Sequence, residues 1–194
     1  MNFRLVVVAA LGVALAGCHQ GKPSTLTGKL TADNAFYAYL STSPTERGEL
    51  IGSGDAWGTT FDLKPSALAP GATYYLNIEA INYGDQGAAI GEFHLSGDEF
   101  HFANGAQTLL TGAAGWTGGY GSPNGTVAPQ PWVPATGAVF SQGANGVGPW
   151  GKVTGVDPSA QWIWPSDPQS AQGSPQGACG TCTVVLSARI VAAG

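Results

Sequence analysis

The amino-acid sequence predicts an all-β protein, a two-sheet antiparallel β-sandwich with long Gly-, Pro- and Trp-rich loops. Three observations predict it. Gly and Pro are abundant, 30 and 13 of 194 residues, and both interrupt helices. Only 10% of residues are charged, which leaves few of the side-chain pairs that support solvent-exposed helices. Thr, Tyr, Trp and Val fall in short runs between clusters of Gly, Pro, Asn and Asp, the pattern of strands joined by tight turns.

Taken in order, Leu26 to Thr31 reads as a strand running into a turn at Asp33-Asn34. Ala35 to Ser41 follows as an aromatic-rich strand, Glu49 to Asp55 as a short strand ending in a glycine turn, and Thr59 to Leu63 as another. Pro70-Gly71 marks a tight turn. The cleanest alternation lies in Thr73 to Asn82: Tyr74, Leu76, Ile78 and Ala80 face one way, and Tyr75, Asn77, Glu79 and Ile81 the other. Ala88 to Leu95 and Glu99 to Phe102 complete a first run of antiparallel strands. From Ala103 to Asp157 the chain is dominated by Gly, Ala, Asn and Pro, punctuated by Trp116, Tyr120, Trp132 and Trp150. A structureless loop of that length is uncommon in a compact domain. Ordered loops are expected there, with one or two short strands near Ala138 to Ser141. Gln161 to Asp167 is a further strand and turn, 168–177 a loop, and the last strand begins after Cys182. Greek-key connections suit such strands, and the apolar first and last strands are expected to pair.

The first residues are an address rather than part of the fold. Met1 to Arg4 carries one positive charge, and Leu5 to Ala16 is apolar throughout, which is signal-peptide length and short of the roughly 20 residues a bilayer span needs. Leu15-Ala16-Gly17-Cys18 resembles the lipobox of bacterial lipoproteins. The resemblance implies cleavage before Cys18, a diacylglyceryl group on its thiol and acylation of its amine. Each buried methylene contributes roughly 0.8 kcal/mol and stable anchoring takes more than one chain, a condition that such a cysteine meets. The expected organisation is a signal peptide at 1–17, a lipidated tether at 18–24 and a sandwich at 25–194 with a loop insertion at about 103–157. His19 after the cysteine, rather than an aspartate, resembles the pattern sorted to the outer membrane in Gram-negative bacteria, which favours that membrane if the envelope is Gram-negative.

Composition excludes some partners. Of seven Lys and Arg, Arg4 leaves with the signal, against twelve Asp and Glu, so clustered cations for phosphate contact are absent and nucleic-acid binding is not expected. Cys179 and Cys182 remain as a pair in an oxidising compartment, and a structural disulfide is the preferred reading. A redox CxxC draws its low thiol pKa from a following helix, and the residues after Cys182 read as a strand instead. Zinc would need two further ligands, for which only His94 and His101 are on offer.

Several phrases resemble the galactose-binding-like jelly-roll fold. Thr31 to Phe36 is similar to its strand-opening phrase, and Leu50 to Trp57 to a short strand ending in Gly and then Trp. Tyr74 to Asn82 resembles its long central strand, Ala89 to Phe93 the neighbour, and Trp162-Ile163-Trp164-Pro165 a Trp-rich segment near a terminus. Residues 103–157 and Ser41 to Thr45 depart from the compact pattern. The resemblance implies a non-catalytic accessory or binding domain, often for carbohydrate and often with a structural calcium ion.

The residues themselves weigh the same ligands. Calcium takes six to eight hard oxygens, and Asp33, Asn34 and Asp55 lie in turns able to supply some. Asp and Asn also cap turns with their own side chains. Sugar recognition rests on aromatic faces, for which Trp116, Tyr120, Trp132 and Trp150 are the loop candidates; each has a packing role as its alternative. No Gly-x-Ser-x-Gly elbow accompanies His94 and His101, and no spacing selects a carboxylate pair among Asp33, Asp55, Glu79 and Glu92, so an enzyme is not expected. The expectation is a membrane-anchored surface or periplasmic lipoprotein with a binding domain, its partners the bilayer through acylated Cys18 and a glycan. The alternative is a structural or assembly lipoprotein of the envelope with a protein partner, and a hydrolase ranks last.

Overall fold

The structure, a computed structural model, describes residues 23–84, 86–122, 125–126, 135–165 and 180–194. Cys18, Trp132, Cys179 and the loop at 168–177 lie outside them.

Thirteen strands and no helix occur among the described residues. They are β1 (Thr25–Asp33), β2 (Ala35–Ser41), β3 (Glu49–Gly54), β4 (Phe61–Asp62), β5 (Ser66–Ala67), β6 (Tyr74–Tyr83) and β7 (Ala88–Leu95). After these come β8 (Phe100–Phe102), β9 (Thr108–Leu110), β10 (Trp116–Ser122), β11 (Val139–Ala144), β12 (Gln161–Pro165) and β13 (Thr181–Ala192). They form two antiparallel sheets packed face to face, a β-sandwich. One sheet runs β11-β12-β7-β1-β4, with β5 also on β1 and β9 on β7; the other runs β10-β13-β6-β2-β3, with β8 on β13.

The two orders correspond strand by strand. β1 and β2, β3 and β4, β6 and β7, β10 and β11, and β12 and β13 occupy matching positions in opposite sheets, and each pair is in contact. The two strands of each such pair are consecutive in the chain and face each other from opposite sheets, whereas β2–β3 and β11–β12 pair within one sheet. This is why the first and last strands do not pair, contrary to expectation. β1 lies between β7 and β4, while β13 lies between β6 and β10 in the opposite sheet. Pairing β13 with β1 would demand that one of them change sheet and surrender its present ladder. The two chain ends nevertheless leave at the same end of the sandwich, joined through the β7–β8 turn: Thr25 N donates to Ser96 Oγ at 2.9 Å and Ala193 N to the Glu99 carbonyl at 2.8 Å.

The inward faces obey the alternation. Leu76, Ile78 and Ala80 of β6 meet Leu26 and Leu30 of β1, Phe93 of β7 and Leu186 of β13 in one core, each essentially inaccessible to solvent. Gly118 permits one close approach, since a Cβ there would stand 2.7 Å from the Pro165 Cβ. The 103–157 region contains more sheet than expected, with β9, β10 and β11 all drawn from it. Its Gly-rich runs hid these strands, because glycine carries no side chain to show alternation.

The two outward faces differ. The outer face of the β7 sheet is covered by the 145–160 segment, and Ala88, Ile90, Trp150, Val153, Val156, Ala160 and Trp162 form a second, smaller core there. The Trp150 and Trp162 rings stack at 4.8 Å. Asn145 staples the segment, its Nδ2 donating to the Val153 carbonyl at 3.0 Å and its Oδ1 accepting from Val153 N at 2.8 Å. Among the described residues, the outer face of the β6 sheet is covered only in part, by the 42–48 loop and by Ala135, which packs against Tyr39 and Val185.

Candidate functional site

The partly covered face carries the polar residues of β6. Alternation puts Tyr75, Asn77 and Glu79 on it, with Tyr37 and Tyr39 of β2 on one side and Val185, Ser187 and Arg189 of β13 on the other. Glu79 is fully buried, and a buried carboxylate demands a cation and hydrogen bonds. Arg47 supplies the cation from the 42–48 loop. Its Nη2 and Nε donate to Glu79 Oε1 at 2.9 and 3.3 Å, and its guanidinium lies over the Tyr39 ring at 5.3 Å. The Tyr39 hydroxyl donates to Glu79 Oε2 at 3.3 Å. Burial, and then the Glu79 charge, push the Tyr39 phenol well above the usual tyrosine range, so it remains a donor at any physiological pH. Asn77 extends the network, its Nδ2 donating to the Glu46 carbonyl at 3.4 Å and its Oδ1 accepting from Ser187 Oγ at 2.8 Å.

Beside this network, at the end of the sheet near both termini, the face opens into a groove of about 500 Å³. Its walls include Pro44, Tyr75, Trp116, Thr117, Ser187 and Arg189, with Ala135 and Thr136 opposite the 42–48 loop. Tyr75 and Arg189 are direct cross-strand partners. Aromatic and apolar walls with a few converging polar groups are the chemistry of a small-ligand site.

Among the described residues, Trp116 is the one ligand-binding candidate from the sequence that lines this groove. It is chiefly a core residue, 8% exposed, tilted against Phe93 at 5.4 Å with its Nε1 donating to the Leu110 carbonyl at 3.0 Å. Tyr120 is half-buried against the main core. Trp150 lies on the opposite outer face, 6% exposed in its stack with Trp162, and its Nε1 donates to Asp33 Oδ2 at 2.7 Å. One metal candidate and one ligand candidate are thus brought together as a packing contact. Asn34 Oδ1 accepts from Tyr83 N at 2.7 Å, a long-range tie to the end of β6 rather than a cap on its own turn, and Asp55 is exposed beyond the end of β3. Among the described residues no group of three His, Cys, Asp or Glu stands together as a metal site. His94 lies on β7, its Nδ1 3.2 Å from Thr108 Oγ1, and His101 is half-buried on β8. Glu92, also on β7, accepts from Asp157 N at 2.7 Å through Oε2. Cys182 is fully buried at the start of β13.

Sequence reasoning missed Tyr75, Ser187 and Arg189 as site residues. The signal was there for Tyr75, which the alternation already set beside Glu79 on the face away from the core. The contribution of β13 depended on a neighbour that only the fold reveals. A comparison with protein-family models matched none, and searches of the curated proteins and of the solved structures likewise matched nothing.

Proposed function

We propose that this chain is a bacterial envelope lipoprotein, anchored through acylated Cys18, whose sandwich is a non-catalytic binding domain for carbohydrate. The groove on the β6 sheet carries the binding reading. Its volume suits one or two sugar rings, the Tyr75 ring offers an apolar face for stacking, and the hydroxyls of Thr117, Thr136 and Ser187 stand ready for hydrogen bonds. Leu15-Ala16-Gly17-Cys18 carries the anchor. The Cys179–Cys182 disulfide belongs to the same proposal and accords with export; Cys182 is buried.

The test is a glycan array probed with the soluble chain from His19 onward, with and without calcium. Tyr75→Ala is the variant to use, because truncating Trp116 also opens a hole against Phe93. Binding that falls at least ten-fold in Tyr75→Ala, at an unchanged melting temperature, supports the groove. A blank array, or binding that Tyr75→Ala leaves intact, overturns it. For the anchor, labelled fatty acid is expected to enter the full chain and to disappear in Cys18→Ser. Equal labelling of the two would remove the lipoprotein reading.

A second reading, an assembly lipoprotein that meets a protein partner, draws on Trp57 and Tyr83. They are 43% and 58% exposed at the end of the sandwich away from both termini. A blank array shifts the assignment to this reading.

A further inference from the structure

The groove holds one cation with no built-in counterion. The two arginines on this face, Arg47 and Arg189, are treated differently. Arg47 is half-buried and ion-paired with Glu79 at 2.9 Å. Arg189 is exposed, and no acidic side chain among the described residues lies within salt-bridge distance of it. A surface arginine in a sheet usually finds its acid directly across the ladder. Across from Arg189 on β6 stands Tyr75, and its same-face neighbours along β13 are Ser187 and Val191, all neutral. Among the described residues that line the groove, Arg189 is also the only charged one. The chain as a whole is acidic, with twelve Asp and Glu against seven Lys and Arg.

The neighbouring hydroxyls have their protons engaged inside the protein. Thr117 Oγ1 donates to the Ser187 carbonyl at 3.3 Å and Ser187 Oγ to Asn77 Oδ1 at 2.8 Å. Both oxygens keep lone pairs, so they accept from a ligand that brings hydroxyl protons. The groove therefore presents acceptors for hydroxyls, an aromatic wall and a single planar guanidinium. A guanidinium fork matches a carboxylate in bidentate fashion, whereas a phosphate monoester, carrying nearly two charges, calls for more than one cation.

We infer that the groove takes an acidic sugar, a uronic acid residue within a glycan, with its carboxylate on Arg189 and its ring on Tyr75. The inference rests on the carbohydrate reading above and narrows it to an anionic class.

The experiment is calorimetric titration of the soluble chain with oligogalacturonate and with oligo-alginate. Each is compared with its methyl-esterified form and with a neutral hexose oligomer of equal length. The free acids are expected to bind at least ten-fold more tightly than the esters, with affinity falling as salt rises. Arg189→Gln is expected to remove that preference, bringing the affinity for the free acid down to that for the ester. The comparison of acid with ester on the unmutated chain stands even if the variant folds poorly. Equal binding of acid and ester, both lost in Tyr75→Ala, overturns the acidic assignment while the carbohydrate reading survives. Binding of none of these sugars overturns the acidic assignment, and a blank glycan array in addition overturns the carbohydrate reading itself.

Discussion

Replacing Arg47 with alanine is expected to lower the unfolding free energy by about 3 kcal/mol, the low end of what breaking a buried ion pair costs. The low end applies because about a quarter of the Arg47 side chain, 26%, reaches solvent. The loss arises at the partner. Glu79 is completely buried on the central strand β6, and without Arg47 its charge loses the guanidinium that pairs with it, while the Tyr39 hydroxyl still donates to it. The same substitution frees the 42–48 loop, whose Glu46 carbonyl is otherwise held by Asn77. Arg47→Ala combined with Glu79→Gln is expected to recover more than half of the loss, because a neutral amide still accepts from Tyr39 without a bare charge. Urea unfolding of the four species checks both statements. A loss below about 1 kcal/mol for Arg47→Ala would show that the pair behaves as a surface contact.

Truncating Trp162 to alanine is expected to cost more, about 3–5 kcal/mol for a large aromatic removed from a packed interior. At roughly 2–4 °C per kcal/mol for a domain of this size, the melting temperature falls by about 10 °C. Trp162 has no accessible surface, and its ring is half of the stack with Trp150 that fastens the 145–160 segment to the β7 sheet. Two readouts separate this mechanism from general destabilisation. Hydrogen exchange is expected to accelerate first in 145–157, well before β6 and β13. Trp162→Phe, which keeps a ring against Trp150, is expected to lose only about 1 kcal/mol. Uniform loss of protection across both sheets would mean that the segment is not a separately held cover.

These two sites also show what the sequence makes legible. The alternation in Thr73 to Asn82 assigns both faces of β6 correctly, because a strand of ten residues gives the period-2 signal room to repeat. The same alternation places Glu79 away from the main core but says nothing of its burial. That depends on Arg47, thirty-two positions earlier, folding back over the strand. Trp150 and Trp162 are separated by a loop whose Gly, Pro and Asn composition resembles an exposed site, and their stacking follows from the cover that this loop forms. Asp33 likewise reads as a metal ligand or a turn residue, and the structure uses it to receive the Trp150 indole N–H. The groove was the least legible part. Tyr75 and Arg189 are neighbours only through the register of β6 with β13, which joins segments more than a hundred residues apart. Local pattern specifies which way a side chain faces; it does not specify which strand lies alongside.

The interior position of β1 has a mechanical consequence. A domain held at its amino end and dragged toward the opposite end of the sandwich transmits the load into Thr25 and along β1. That strand is bonded to β7 from Leu26 to Asp33 and flanked by β4 and β5 on its other edge. Force along the strand axis strains the whole ladder in shear, so its hydrogen bonds must yield together rather than unzip one after another. Under the anchor proposed at Cys18, drag on the domain would load the strand nearest the anchor in this way.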